Sequence, residues 1–365
     1  MMPNYRSEEQ HDIPARRINL KNLGTNRFNP DCTETEVEFE ILPKNTTFPE
    51  VTLKALTLDG VEANFVKIET EGNKAHIKAL GDGVFRLTAS AKNGGELSEI
   101  ISELEFEAEG LGKATHDPYN YVPGIQYSAC SHNATLSFQG GAFIPQDGDA
   151  WITFDNVDFG EFGSDEITIP IFIFEDEMPL SVWEGDAENG ECLGSFNYEA
   201  PTWYNHYQPN TFKLSRRVKG TTKITLKFTS KNRFSVKGFS FTKLKKAYSL
   251  INATENTRVT GDSFTVTGDA ITGIGNNVSI EFDGMSFDEG VSFVKLYGRS
   301  NNEKTSIHIL FKEGDEVTKQ MVEVPYSEGY EEFTIPLKDM RTDGSVSLVF
   351  LPGSNFDLKW FEFQK

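Results

Sequence analysis

At 365 residues the chain is too long for one ordinary sandwich, and at roughly 100 to 150 residues per domain it divides into two to four units, of which three are expected. Hydrophobic residues make up 38% of it and 31 glycines add to the apolar share, so each unit can bury a core and general disorder is excluded. With 55 acidic against 35 basic residues the net charge is -20, which repels phosphate backbones and anionic lipid headgroups, so neither nucleic acid nor membrane is expected as a partner.

The 29 phenylalanines and 11 tyrosines favour pleated surfaces, where aromatic and β-branched side chains pack well, and point to an all-β protein. Residues 1–17 carry no hydrophobic period and read as a linker. They lack the apolar core of a signal peptide, and no later segment approaches the roughly 20 apolar residues of a membrane span, so the expected location is cytoplasmic or undetermined. Cys32, Cys130 and Cys192 lie far apart without CxxC spacing, and neither a disulfide framework nor a metal site is expected.

From residue 18 to 110 the pattern is of short alternating runs separated by glycine-rich turns such as Gly81-Asp82-Gly83, the signature of a sandwich. In its last run Leu104, Phe106 and Ala108 alternate with Glu103, Glu105, Glu107 and Glu109, which suits a strand with one buried face. The stretch 81–91, GDGVFRLTASA, resembles the late strand of bacterial immunoglobulin-like domains.

After residue 110 the chain repeats itself. The run from Ile152 to Phe159 returns from Ile280 to Phe287, with Phe154 and Phe282 separated by 128 residues. Phe212 and Leu214 are matched with Phe333 and Ile335 at 121. Ile224, Leu226 and Phe228 match Val346, Leu348 and Phe350 at 122, as Phe239 and Phe241 match Phe361 and Phe363. Four blocks in one order define two copies of a domain, 111–243 and 244–365, each with about eight strands expected to form a jelly roll.

Two stretches, 148–154 (GDAWITF) and 353–361 (GSNFDLKWF), resemble signature strands of family 6 carbohydrate-binding modules, which belong to the galactose-binding-like superfamily. The runs 154–160 and 163–170, with 207–209, 214–217 and 273–277, resemble the C-terminal accessory region of bacterial glycoside hydrolase family 2 β-galactosidases. There an immunoglobulin-like domain precedes such modules, the order expected here. The resemblance implies a non-catalytic region that holds or positions an oligosaccharide or galactoside, with the catalytic portion of a parent enzyme as its partner. No cofactor is expected. The chain has no alternation of strand and helix long enough for a catalytic barrel.

In family 6 modules sugar is held at the loop end of the sandwich by aromatics and an asparagine before the last strand. Asn355 and Tyr330 match those positions, whereas the first copy has Arg233, with Asn232 one residue early, in place of Asn355. The family's acidic calcium ligands are missing, since the second copy reads Ile251-Asn252-Ala253-Thr254 at that point.

Independently of the resemblance, Trp203, Tyr204, His206 and Tyr207 lie between Pro201 and Pro209, and ring planes beside amide or imidazole groups are what a sugar site requires. The alternative is that they plug the sandwich end or dock another domain. Trp183 is a candidate platform or a lid on the core. Acid neighbours such as Asp165-Glu166 and Glu175-Asp176-Glu177 point to opposite faces of a strand, so no catalytic pair is expected. Between Lys213 and Lys246 stand twelve bases and no acid, read either as a solvated face or as a docking surface for an acidic neighbour. A purely structural role for both jelly rolls is the competing reading of the whole.

Overall fold

The computed structural model describes residues 12–95, 98–200 and 206–365. The protein is all-β, built of facing antiparallel sheets, and its chain divides into two compact units, Met1–Lys243 and Leu244–Lys365.

The first unit opens with two four-stranded sheets. One runs Arg17–Asn22, Glu34–Leu42, Lys74–Ala79, Val66–Glu71 in spatial order; the other runs Arg27–Phe28, Glu99–Ala108, Gly83–Lys92, Thr52–Thr57. The short strand Arg27–Phe28 lies parallel to the last strand, pairing Arg27 with Glu107 and Phe28 with Ala108. Alternation decides what is inside: Phe85, Leu87 and Phe106 are buried, and Phe28, Phe85 and Phe106 stack with ring centroids 5.2–6.2 Å apart. The expected linker is anchored over its last residues. Arg16 N–H donates to Leu42 O at 2.8 Å, Thr47 N–H donates to Ile13 O at 3.0 Å, and Ala15 is buried.

Gly81-Asp82-Gly83 does more than turn the chain. Asp82 accepts hydrogen bonds from the amides of Leu111 (2.7 Å) and Gly112 (3.2 Å), so this turn clamps the segment leading into the next sandwich. A side chain at Gly81 would meet the Ala114 amide nitrogen at 2.6 Å, which is why glycine stands there.

The two jelly rolls have the same strand order. In the first unit a five-stranded sheet runs Ala129–Cys130, Gly148–Asp158, Thr221–Ser230, Glu177–Glu184, Glu191–Glu199. In the second unit the order is Arg258–Thr260, Ser279–Ser286, Asp343–Phe350, Lys304–Glu313, Glu316–Pro325. The opposite sheets agree likewise, with Ser164–Phe172 between Gln208–Val218 and the split strand Phe234–Val236 and Gly238–Phe241, and Val291–Ser300 between Glu331–Met340 and Phe356–Gln364. Among the described residues the copies have 12 and 11 strands rather than about eight, because ladders two or three residues long leave no alternation to read.

The repeated phenylalanines form the same contacts twice. Phe154 meets Phe239 edge to face at 4.9 Å, and Phe282 meets Phe361 at 4.6 Å; Phe159 meets Phe241 at 4.7 Å, and Phe287 meets Phe363 at 5.1 Å. All eight are at most 3% exposed and join one sheet to the other. Each copy also carries a bulge directly after the first of these phenylalanines, between Phe154 and Val157 and between Asp283 and Met285.

One match is corrected by the ladders. Ile167 pairs with Phe241 and Val294 with Phe363, so Ile167 and Val294 are equivalent. Ile167 also pairs with Phe212 and Val294 with Ile335, so Phe212 corresponds to Ile335 and not to Phe333. A slip of two residues keeps every side chain on its face, which is why the hydrophobic pattern alone did not betray it.

Candidate functional site

The corrected register places Tyr207 and Tyr330 at one position, immediately before the equivalent residues Gln208 and Glu331. The sequence presented them as members of two different candidate sites. Their surroundings differ in every partner.

In the second unit, Tyr297 and Trp360 are directly opposite each other on neighbouring strands and stack at 5.2 Å with planes 17° apart. A bulge after Leu358 puts Lys359 and Trp360 on the outer face together, since the ladder passes from Tyr297–Trp360 to Gly298–Leu358. Tyr330 leans on this pair, 6.0 Å from the Tyr297 ring, with the Lys359 ammonium 5.1 Å and the Arg299 guanidinium 5.9 Å from its own ring. All three aromatics are half-buried, so part of each ring faces solvent.

Two carboxylates, one of them buried, fix the cations. Asp357 is 3% exposed and accepts from Arg299 Nε at 3.0 Å, Arg299 Nη2 at 2.7 Å and the Gly273 amide at 2.8 Å. Lys359 pairs with Asp269 at 3.1 Å. Burial, with the Asp357 charge as a smaller cause, pushes the Tyr330 hydroxyl above the usual phenol range, so it stays a neutral donor.

Asn355 lies at the same end of the sheet but not against Tyr330. Its side-chain oxygen accepts from Asn301 Nδ2 at 3.1 Å and its backbone oxygen from the Asn301 amide at 2.9 Å, while Asn276 Oδ1 accepts from the neighbouring Gly353 amide at 2.6 Å. The result is an exposed amide rim beside the aromatic group. Tyr297 and Arg299 carry no signal in the sequence, and Trp360 figures there only as part of the 353–361 motif, because an aromatic or a base on a strand is ordinary until its cross-strand neighbours are known.

In the first unit the position of Tyr297 holds Pro170 and that of Trp360 holds Gly238. No ring fits at Gly238: even a Cβ would lie 2.0 Å from Val122 O. Tyr207 is packed instead of presented. Its ring stacks on Phe138 at 4.4 Å and its hydroxyl meets Ser235 Oγ at 2.7 Å, Ser137 Oγ at 3.2 Å and Phe138 O at 3.2 Å. The strand that begins beside it is held by the buried hydroxyl of Tyr198, which contacts Gln208 O. In place of Asn355 and Asn301 stand Arg233 and Phe174, the guanidinium 5.3 Å from the ring.

His206 is exposed, and Trp203 and Tyr204 lie outside the described residues. Trp183 is on the outer face of the five-stranded sheet, not over the core; the Lys227 ammonium sits 3.4 Å from its ring centre and its Nε1 donates to Ser181 Oγ at 2.8 Å.

Part of the basic stretch is paired with acids of its own unit. Lys213 pairs with Asp165 at 2.7 Å, Arg216 with Glu184 and Glu191 at 2.7 and 2.6 Å, Lys223 with Asp186 at 2.8 Å, and Lys245 with Asp288 at 2.7 Å. Lys227, Arg233, Lys237 and Lys243 lie over aromatic rings instead. The acid neighbours have structural partners too: Glu166 accepts from Thr242 Oγ1 at 2.6 Å, Glu175 from Ser230 Oγ at 2.7 Å and Glu177 from Asn197 Nδ2 at 2.6 Å. Among the described residues no group of three or more His, Cys, Asp or Glu could hold a metal, the three cysteines are free, and no helix is long and apolar enough to cross a membrane.

No family model matches the chain, and no curated protein is similar to it. Among solved structures it is similar to a family 6 carbohydrate-binding module from Clostridium stercorarium in complex with cellobiose, at 21% identity over 33% of this chain and 95% of that one, with a TM-score of 0.29. It is also similar to a glycoside hydrolase family 43 arabinoxylan arabinofuranohydrolase from Bacillus subtilis in complex with cellotetraose, at 11% identity over 97% of this chain and 95% of that one, with a TM-score of 0.27. A fucolectin from striped bass (Morone saxatilis) serum is 13% identical over 67% of this chain and 99% of that one, with a TM-score of 0.29. Likenesses this low assign the chain neither a family nor a ligand.

Proposed function

We propose that the chain is a non-catalytic carbohydrate-binding region and that its second jelly roll holds the sugar, at Tyr330, Tyr297 and Trp360 with Asn355 and Asn301 on the rim. The observation that carries this reading is the stacked Tyr297–Trp360 pair with Tyr330 beside it, braced by Arg299, Asp357 and Lys359. Ring planes receive the C–H face of a pyranose, and amides, guanidinium and ammonium exchange hydrogen bonds with its hydroxyl edge. The motifs that resemble a family 2 β-galactosidase accessory region favour galactosides or related oligosaccharides as ligand and the catalytic portion of such an enzyme as partner. The strand order of the first sandwich, with its parallel Arg27–Phe28 pairing, supports an immunoglobulin-like spacer.

The first jelly roll fits the scaffold reading better, since Tyr207 is stacked under Phe138 and hydrogen-bonded through its hydroxyl. Calorimetric titration of the full chain with galactosides, β-glucans and xylans tests both assignments. Tyr330→Ala is expected to weaken binding at least tenfold and Tyr207→Ala to leave it unchanged. Binding indifferent to Tyr330→Ala would refute the assignment.

A further inference from the structure

The first unit contains a cleft of about 1070 Å³ between its two sandwiches, at the upper end of the roughly 300–1,000 Å³ usual for small-molecule sites. Lys54, Asp59 and Asn64 face it from the first sandwich, and Asn120, Tyr121 and Gln126 from the jelly roll. Its walls are tied across. Asn64 Nδ2 lies 3.0 Å from His116 Nδ1, Gln126 Nε2 donates to Glu62 O at 2.7 Å, and Asp82 clamps the connecting segment. The opening is therefore built into the pairing of the sandwiches, and a ligand would not have to create it.

Two further observations give the cleft a chemistry. Gln126 Oε1 is buried without a hydrogen-bond partner, an unmet acceptor on a side chain that lines the cleft, which a donor reaches once that side chain shifts. The amide cannot be turned to cure this, because its nitrogen is already committed to a carbonyl. The Tyr121 ring is 40% exposed, with its hydroxyl fixed to Lys237 O, so it offers an immobile apolar plane among amides and carboxylates. Asp59, Glu62, Asp117 and Asp158 outnumber Lys54 in the lining and repel an anionic ligand, while the alternation of these groups with Leu56, Val61 and Leu136 suits a ligand that has both apolar and hydroxyl faces.

We infer that this cleft is a second binding site, for a neutral oligosaccharide whose hydroxyls donate to Gln126, Asp59 and Asn64 and whose ring face lies on Tyr121. It shares with the site proposed above only its class of ligand and rests on different residues. Asp59 is exposed and has no partner among the described contacts, so Asp59→Trp fills the cleft without disturbing a bond.

The test is calorimetric titration of the full chain with cellohexaose, laminarihexaose and β-1,4-galactotetraose, in a Tyr330→Ala/Trp360→Ala background that removes the other site. At least one of the three is expected to bind there, and adding Asp59→Trp or Tyr121→Ala is expected to weaken it tenfold or more, in Asp59→Trp with the unfolding midpoint unchanged. No binding of any of the three in that background overturns the cleft site, whatever the unaltered chain binds, and so does binding that Asp59→Trp leaves untouched. Equal affinity in the background and the unaltered chain would instead remove the Tyr330 site and keep the cleft.

Discussion

The two jelly rolls share strand order, bulge and core contacts, yet they finish the same corner in opposite ways. Where the second has Tyr297, Trp360, Asn301 and Asn355, the first has Pro170, Gly238, Phe174 and Arg233. Only the tyrosine and the bulge lysine are common to both, as Tyr207 with Lys237 and Tyr330 with Lys359. In one copy the tyrosine is capped by Phe138; in the other it stands over two cations with part of its ring in solvent. A repeated shell thus constrains the core, where every atom has neighbours, and leaves the rim free to become a plug or a platform.

If the cores are equivalent, equal truncations should cost the same. Phe154→Ala and Phe282→Ala are each expected to lower the unfolding free energy of their own unit by about 3–5 kcal/mol, measured by denaturant titration. A difference above about 2 kcal/mol between them would break the equivalence.

The corner should not be exchangeable in both directions. Gly238→Trp is expected to cost about 3 kcal/mol or more, because the side chain has no space beside Val122 O, whereas Trp360→Gly should cost only about 1 kcal/mol. Chemical denaturation of the two variants compares them directly. Asp357→Ser, which copies Ser235, removes the acceptor of Arg299 and of the Gly273 amide; the loss should be about 1–3 kcal/mol, at the lower end because Arg299 is 41% exposed. A fully tolerated Asp357→Ser would mean that Arg299 is held over Tyr330 by something else.

The smallest effect is expected at His116, present only in the first unit. It is 8% exposed and accepts from Asn64, and burial lowers its pKa below the usual imidazole value, opposed by the Asp155 charge. As pH falls below about 6.5 the unfolded chain takes up the proton before the folded one does, so stability declines below that pH and is flat above it. The slope cannot exceed about 1.4 kcal/mol per pH unit, and His116→Gln should flatten it in melting curves taken from pH 7.5 to 5.

Much of the fold was legible because alternation and turns are local signals. The Glu99–Ala108 strand could be read from its glutamates, and the duplicated phenylalanines announced the repeat. The site was legible only in part. Tyr330 and Asn355 can be named, but Tyr207 reads as part of a separate group between Pro201 and Pro209, because a two-residue slip in matching Gln208–Val218 to Glu331–Met340 hides its equivalence to Tyr330. The basic run left a solvated face and a docking surface as two readings because the sequence does not tell that Lys223 reaches Asp186 or that Arg216 reaches Glu191.

That the chain is all-β, that its cores are aromatic and that one domain is present twice can be read without coordinates. Period, turn chemistry and composition are properties of neighbouring residues and survive without coordinates. That Trp360 stacks on Tyr297, that Asp357 holds Arg299, and that a cleft lies between the first two sandwiches came from the assembled sheets alone. Those contacts join residues tens of positions apart through strand register, and a register is fixed by whole sheets settling together, not by any segment alone.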